Sequence, residues 1–412
     1  MPSRNDKEVL RALGAEYADI AALPVQEEKR GLWRALNARK PERPMVMIDQ
    51  IPWQEMNVDD ELTLRCEDEF CRALEEQMRR VIYQWKHFPV DMVVEPYIPV
   101  QKVVENTGFG IDVHDETVGT DEDNPVVAHQ YLNQFESDDA LENMHMPRVT
   151  YNAAETERRL DIAHDVFDGI IDVRPVGSTL NPSIWDRVAQ WMGVQNIMYA
   201  LIDRPEFMHA LAQRVLDGLM TTFDQLEEQG LLESPQPLIH CTGAYTDDLP
   251  SPGYDPEKPR TQDVWMMGLA QIFSTISPAM FKEFEIDYTA KLCARHGLVY
   301  YGCCEPLDGY MNEVRLLPNV RKISMSPWVN QERGAEEIAG DYVFSRKPNP
   351  AHVATESFHE ETVRDDLQET VDTCAPHGCP LELILKDIST VRYEPQRLWK
   401  WGDIAMKLVT RT

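Results

Sequence analysis

Eight short apolar runs, rich in β-branched residues and separated by stretches of helical periodicity, constrain this chain most. They lie at 45–49 (MVMID), 92–96 (MVVEP), 170–176 (IIDVRPV), 237–241 (PLIHC), 298–303 (LVYYGC), 322–326 (KISMS), 342–346 (YVFSR) and 381–386 (LELILK). Runs of this length suit strands buried on both faces, the habit of parallel sheets. Parallel strands need long crossovers. Helical spacing supplies them at 70–85, 183–192, 205–229, 264–296, 335–339 and 361–375. The alternation predicts an α/β chain folded as a (β/α)8 TIM barrel, with a doubly wound sheet as the rival.

The rest of the chain is arranged around that frame. Helical patterns at 6–20 and 25–38 form an N-terminal extension over 1–40, expected to cap the N-terminal end of the barrel or cover a neighbouring subunit. Segments 101–150 and 243–260 are irregular, and loops of that length are usually lids or binding loops. Both are expected over the C-terminal ends of the strands, where a barrel's chemistry is placed. The acidic run Asp121-Glu122-Asp123 reads as a solvated loop. Without repeats or a low-complexity linker, 1–412 reads as one domain with two insertions.

Forty Lys and Arg stand against seventy Asp and Glu, a net charge of −30, which argues against nucleic acid and anionic membranes as partners. No apolar run approaches the ~18 residues of a bilayer span. The N-terminus, MPSRNDKEVLRALGAEYADI, lacks the apolar core of a signal peptide. Eight cysteines in this length are too sparse for a disulfide scaffold. A soluble, cytoplasmic protein with reduced thiols and a small-molecule substrate is the expectation.

The residues closing the predicted strands would line one mouth: Asp49, Glu95, Arg174, His240-Cys241, Cys303-Cys304-Glu305, Ser326, Arg346-Lys347 and Lys386-Asp387. Thiolate and imidazole are zinc's preferred donors, so Cys303, Cys304, His240 and Cys241 are the candidate metal ligands. Only one of Cys303 and Cys304 would face the cavity if alternation held through the strand end. Glu305, Glu95, Asp49 and Lys386 are the candidate acid, base or proton-carrying groups. Arg346 and Lys347 would grip an anionic part of the substrate, with Trp53 and Tyr301 beside it. His377 and Cys379 precede the eighth run and read as structural, and core packing is the reading for Trp265.

ARKPERPMV before the first run, HGLVYYGCCEPLDGYMNEVRLLPNVRKISMSPW in the centre and HGCPLELILKDISTVRYEPQRLWKW at the end resemble the uroporphyrinogen decarboxylase superfamily along essentially the whole chain. The resemblance implies a (β/α)8 barrel and a homodimer. Its decarboxylases use an Arg-rich motif after the first strand, where this chain reads DQIPWQEM. Its cobalamin-linked methyltransferases hold a thiol on zinc through a His-x-Cys motif and a later Cys. Here those places read Tyr301-Gly302-Cys303 and Lys386, so one ligand of three carries over. The leading expectation is a methyltransferase-like enzyme in a corrinoid-dependent demethylation system. Zinc would be its metal, and methylcobalamin would arrive as substrate or on a corrinoid partner protein. The alternatives are a decarboxylase or lyase acting on a porphyrinogen-like or other carboxylic acid, and a non-catalytic ligand-binding barrel.

Overall fold

Five of the apolar runs pair into one parallel sheet with a sixth strand that helical spacing conceals. In the computed structural model, which describes residues 2–119 and 127–410, the strands that position the site are as follows. In chain order they are β1 Met45–Ile48, β2 Tyr97–Gln101, β3 Asp172–Val176, β4 Leu238–Ile239, β5 Thr242–Gly243, β6 Trp265–Gly268, β7 Leu298–Tyr301, β8 Val320–Met325, β9 Val343–Arg346 and β10 Leu381–Leu385. Parallel pairing orders six of them β1-β10-β9-β8-β7-β6. β2 and β3 make a second parallel pair, and the chain beyond β3 reaches β6 through a parallel bridge from Leu180 to Met266. At the other edge, the Asp91 N–H donates to the Val46 carbonyl at 2.9 Å.

Three expected elements are placed differently. The 264–296 stretch is not one helix. It opens with β6, whose four residues are all buried, passes through a 3-10 turn at Gln271–Phe273, and becomes continuously helical only over 278–295, including a π turn over Lys282–Ile286. The 237–241 run is not a sheet strand but the first arm of a hairpin. β4 and β5 pair antiparallel, with His240-Cys241 as the turn. Segment 92–96 is held by a helix rather than by the sheet, because the Val94 N–H donates to Gln26 Oε1 at 2.9 Å; the strand begins only at Tyr97.

The hairpin explains a fourth difference. Segment 243–260 runs along the N-terminal ends of the strands, not over their C-terminal ends. Trp265, the first residue of β6, donates its indole N–H to the Ala244 carbonyl at 2.9 Å, and Arg321 at the start of β8 meets Asp248 at 2.8 Å. The same end is covered by the helix Val25–Asn37, part of the N-terminal extension. Asn37 donates to the Gly243 and Tyr245 carbonyls at 3.0 and 2.7 Å. Trp33 lies so close that a Cβ on Gly243 would meet its ring at 2.4 Å. The 101–150 insertion has structure of its own. Val104–Asn106 pairs with Val149–Tyr151, and Asp115–Val118 with Ala128–Tyr131, both antiparallel. The acidic run 121–123 lies outside the described residues. No helix among the described residues is long and apolar enough to cross a membrane.

The two faces of the six-stranded sheet differ sharply. Val299, Ile323, Met325, Phe344, Leu383 and Leu385 point outward into the main apolar core. Their neighbours one position away, Lys322, Ser324, Ser345, Lys347, Glu382 and Lys386, point to the other face, and all are buried. Strand alternation places them there. The hairpin lies on this polar face: Lys322 donates to Thr242 Oγ1 at 2.9 Å and to Glu382 at 2.7 Å, and Thr242 donates to the same carboxylate at 2.7 Å.

Candidate active site

The site begins at the end of β7, where the backbone turns through Gly302 at φ 93°. A side chain there would put its Cβ 2.4 Å from Leu307 Cδ1, so turn and packing both require glycine. Cys303 follows. Its N–H donates to Glu305 Oε2 at 2.8 Å, the Ala270 N–H donates to Oε1 at 3.1 Å, and Ser324 Oγ donates to the Cys303 carbonyl at 2.7 Å. Glu305 is thus a clamp joining the ends of β6 and β7. Burial raises its carboxyl to about 7.

Around Cys303 Sγ gather three groups from separate segments. Lys386 Nζ donates to it at 3.0 Å, Cys304 Sγ lies at 3.6 Å and His240 Nε2 at 3.8 Å. Cys304 Sγ donates to Asp387 Oδ2 at 3.2 Å, and Lys386 pairs with the same oxygen at 2.8 Å. The Cys304 hydrogen bond, with His240 and Lys386, draws the Cys303 thiol well below the usual thiol range against the opposing effect of burial. Cys304 moves the other way, raised by its contact with Cys303 and by burial. Burial works against the Lys386 ammonium, yet the charges of Cys303 and Asp387 hold it firmly protonated. The surroundings therefore favour the thiolate at Cys303 and the thiol at Cys304, with the Lys386 ammonium within reach of both.

Three non-glycine residues at this mouth have left-handed backbones: His240 (φ 53°), Gln50 (φ 50°) and Asp387 (φ 56°). Such conformations cost free energy and cluster at functional sites. Gln50 accepts the Asp387 N–H at 3.0 Å. Asp49 lies beside Cys241, and burial raises its carboxyl above the usual range. Beneath the thiols, Lys347 donates to Tyr300 Oη at 2.5 Å and Ser345 Oγ at 2.6 Å, and Ser345 donates to Glu382 at 2.5 Å. Burial lowers the Lys347 ammonium to about 8.

The structure therefore brings Cys303, Cys304, His240 and Lys386 together, with Asp49, Cys241 and Lys347 adjoining. Other expected members of the mouth lie elsewhere. Glu95 precedes β2, at the N-terminal end of that strand, and bonds to Arg30 (3.4 Å) and Tyr245. Arg346 faces away from Lys347, as alternation demands, and bonds to the Ser326 carbonyl at 2.5 Å and Asp366 at 3.4 Å. Tyr301 is on the outer face, donating to Glu285 at 3.0 Å. Trp53 sits under Arg80, and the two line a 310 Å³ cavity together with Asp49. Arg174 stacks on Tyr97, 4.6 Å from the ring centre. Trp265 is core, as expected, and His377 pairs with Glu332 at 3.3 Å.

Sequence reasoning missed Gln50, Glu382 and Lys322. The signal for the last two is present as a period of two: Lys322-x-Ser324-x-Ser326, Ser345-x-Lys347 and Glu382-x-Ile384-x-Lys386. It also missed Asp186 in a 580 Å³ cavity between the 106–113 segment and helix Ile184–Met192. Burial raises that carboxyl to about 6.

The expected zinc ligands do not fit a zinc centre as placed. Among the described residues, no group of three or more His, Cys, Asp or Glu donors is disposed to hold a metal ion. Lys386 puts a cation against both sulfurs, and Cys241 turns toward Asp49.

No protein-family model matches the sequence, and no curated protein matches it. Solved structures do. A methyltransferase from Methanosarcina mazei superposes over 92% of this chain and 97% of its own, with a TM-score of 0.50 and 9% identity. At that identity the likeness is one of fold, and it spans both chains almost end to end.

Proposed function

We propose that this protein is a methyltransferase-like enzyme built on a (β/α)8 barrel, in which Cys303 accepts the methyl group as a thiolate and Lys386 takes the part that zinc would play. The observation that carries this reading is the 3.0 Å contact between Lys386 Nζ and Cys303 Sγ. A thiolate is the reactive form of cysteine, and a neighbouring ammonium stabilises it at neutral pH. Glu305 fixes the Cys303 backbone, so the sulfur is aimed before a donor arrives.

In this reading the Sγ lone pair attacks the methyl carbon, the bond from methyl to donor breaks, and the donor leaves with its electron pair. A methylcobalamin, free or carried by a partner protein, would suit the donor's role with its reduced corrinoid as the leaving group, and the thioether on Cys303 would then pass its methyl to the acceptor substrate. The fold of the Methanosarcina mazei methyltransferase supports the choice of reaction class. A second reading, a lyase acting on a carboxylic acid, rests on Lys347. That ammonium titrates near 8 and bonds to Tyr300, so it can move a proton at neutral pH.

The test is incubation of the full chain with methyl-deuterated methylcobalamin, followed by mass analysis of the tryptic peptide 296–315. A deuteromethyl group on Cys303, absent in Cys303→Ser, is the expected result. Equal demethylation of the corrinoid by Cys303→Ser would sink the reading.

A further inference from the structure

The proposed methyl transfer uses one sulfur, yet two lie together. Cys304 Sγ is 3.6 Å from Cys303 Sγ, is partly exposed, and lies 3.2 Å from Asp387 Oδ2. Lys386 Nζ reaches both sulfurs, at 3.0 and 3.8 Å. A thiolate beside a retained thiol is the arrangement in which the first is oxidised and the second resolves it.

We propose that Cys303 and Cys304 form a peroxide-oxidisable dithiol, a reversible modification site at the mouth of the enzyme. It rests on the same Cys303 thiolate as the methyl-transfer reading. The chemistry balances with hydrogen peroxide as the oxidant. Cys303 Sγ attacks one peroxide oxygen and the O–O bond breaks. The departing hydroxide takes a proton to become water, and Cys303 becomes a sulfenic acid. Cys304 Sγ then attacks Cys303 Sγ, the S–O bond breaks, and its oxygen leaves as water with the Cys304 proton. Two electrons pass from the sulfurs to the peroxide, and one disulfide forms.

The product is easily reversed. Adjacent residues hold their Cα atoms about 3.8 Å apart across a trans peptide, whereas disulfides ordinarily span about 4.4–6.8 Å. A bond closed over that short span is strained and more readily reduced, the mark of a regulatory rather than a structural disulfide. Closing it removes the nucleophile and leaves Lys386 without its anionic sulfur. The other close pair, Cys374 and Cys379, is an internal comparison. Its sulfurs face each other and Cys379 Sγ donates to the Ala335 carbonyl at 3.4 Å, with no lysine donating to either among the described residues.

The full chain, freshly reduced, is treated with stoichiometric hydrogen peroxide, quenched and digested with trypsin. Peptide 296–315 carries only Cys303 and Cys304, and peptide 365–386 carries only Cys374 and Cys379. The first should become lighter by two hydrogens, ahead of the second, and dithiothreitol should restore it. Dimedone should label Cys303 in Cys304→Ser and not in the wild type. Lys386→Met should slow the loss by about tenfold or more, as expected when a thiolate reverts to a thiol. Dimedone labelling of wild-type Cys303, or oxidation of 365–386 first, overturns the proposal. Iodoacetamide separates it from the methyl-transfer reading. Fast alkylation of Cys303 without disulfide formation overturns the dithiol alone, whereas slow alkylation at neutral pH overturns both.

Discussion

The two faces of the central sheet are made by the same strands and divide the molecule's work. Outward, Val299, Ile323, Phe344 and Leu383 pack into the apolar core. Inward, one residue along each strand, Lys322, Ser345, Glu382 and Lys386 are just as buried but carry charge or hydroxyls. Burial of charge costs several kcal/mol per ion before pairing offsets it, so the inner face is a poor way to gain stability. Its hydrogen bonds run instead from the helix Val25–Asn37 at one end of the strands through Lys322, Glu382 and Ser345 to Lys347, beneath the Cys303 sulfur. The outer face holds the fold, and the inner face holds buried charge beside the candidate site.

The largest effect that would break this comparison is on reactivity. Lys386→Met removes the inner face's contact with Cys303 and leaves the outer face untouched. Turnover should fall by about 10²–10⁴-fold, the loss typical of a group that activates a nucleophile or carries a proton. Cys303 alkylation at pH 7 should fall by an order of magnitude, with unfolding little changed. Full activity in this variant would mean that the inner charges are structural after all.

The next effect is on stability. Lys322 and Glu382 are both fully buried and 2.7 Å apart. Lys322→Met or Glu382→Leu alone leaves one uncompensated charge and should cost about 3–5 kcal/mol in urea unfolding, while the double variant should recover most of it. Additive losses would show that the pair is a net stabiliser, contrary to the division drawn here.

Much of this division was legible in the sequence, and what was not has physical causes. The runs at 45–49, 298–303, 322–326, 342–346 and 381–386 are strands because length and apolar content identify them. Cys303, Cys304 and Lys386 meet because strand ends in one sheet converge, whereas His240 reaches them from the hairpin turn. The hairpin was hidden because arms of two residues have no period to read. β6 was hidden because WMMG runs into a helical segment that swamps its signal. Glu95 was misplaced because the strand after it starts five residues later than its apolar run, at Tyr97, which moves the acid to the opposite end. Arg346 and Lys347 are adjacent, so alternation allows only one of them to face inward.

The outer face has titratable exceptions of its own, and one of them sharpens the comparison through pH. Tyr301 donates to Glu285, and burial raises that carboxyl from 4.5 to about 8. Folded, Glu285 keeps a proton that the unfolded chain releases near 4.5. Its contribution is therefore complete below that pH and is lost as pH rises through about 8. Between pH 5 and 8 thermal or urea stability should decline, and Glu285→Gln should flatten the decline by an amount on the order of 2 kcal/mol. A slope unchanged by the substitution would place the titration elsewhere, with Glu305, raised to about 7, the next group to replace.

The smallest expected effect decides which neighbour makes the thiolate. His240 Nε2 lies 3.8 Å from Cys303 Sγ, at the far edge of a hydrogen bond to sulfur, whereas Lys386 Nζ lies at 3.0 Å with a full charge. His240→Asn is the appropriate replacement, because position 240 has φ 53° and asparagine tolerates that conformation better than most residues. The hairpin turn should therefore survive, with Thr242 still bonded to Glu382. A contact at that distance contributes about 0.5–1 kcal/mol, so Cys303 alkylation at pH 7 should slow by only about threefold. That is well short of the loss expected for Lys386→Met. If the two substitutions slow alkylation equally, the hairpin tip shares the chemistry with β10, and the inner face is a site closed by two elements rather than one surface with a plug.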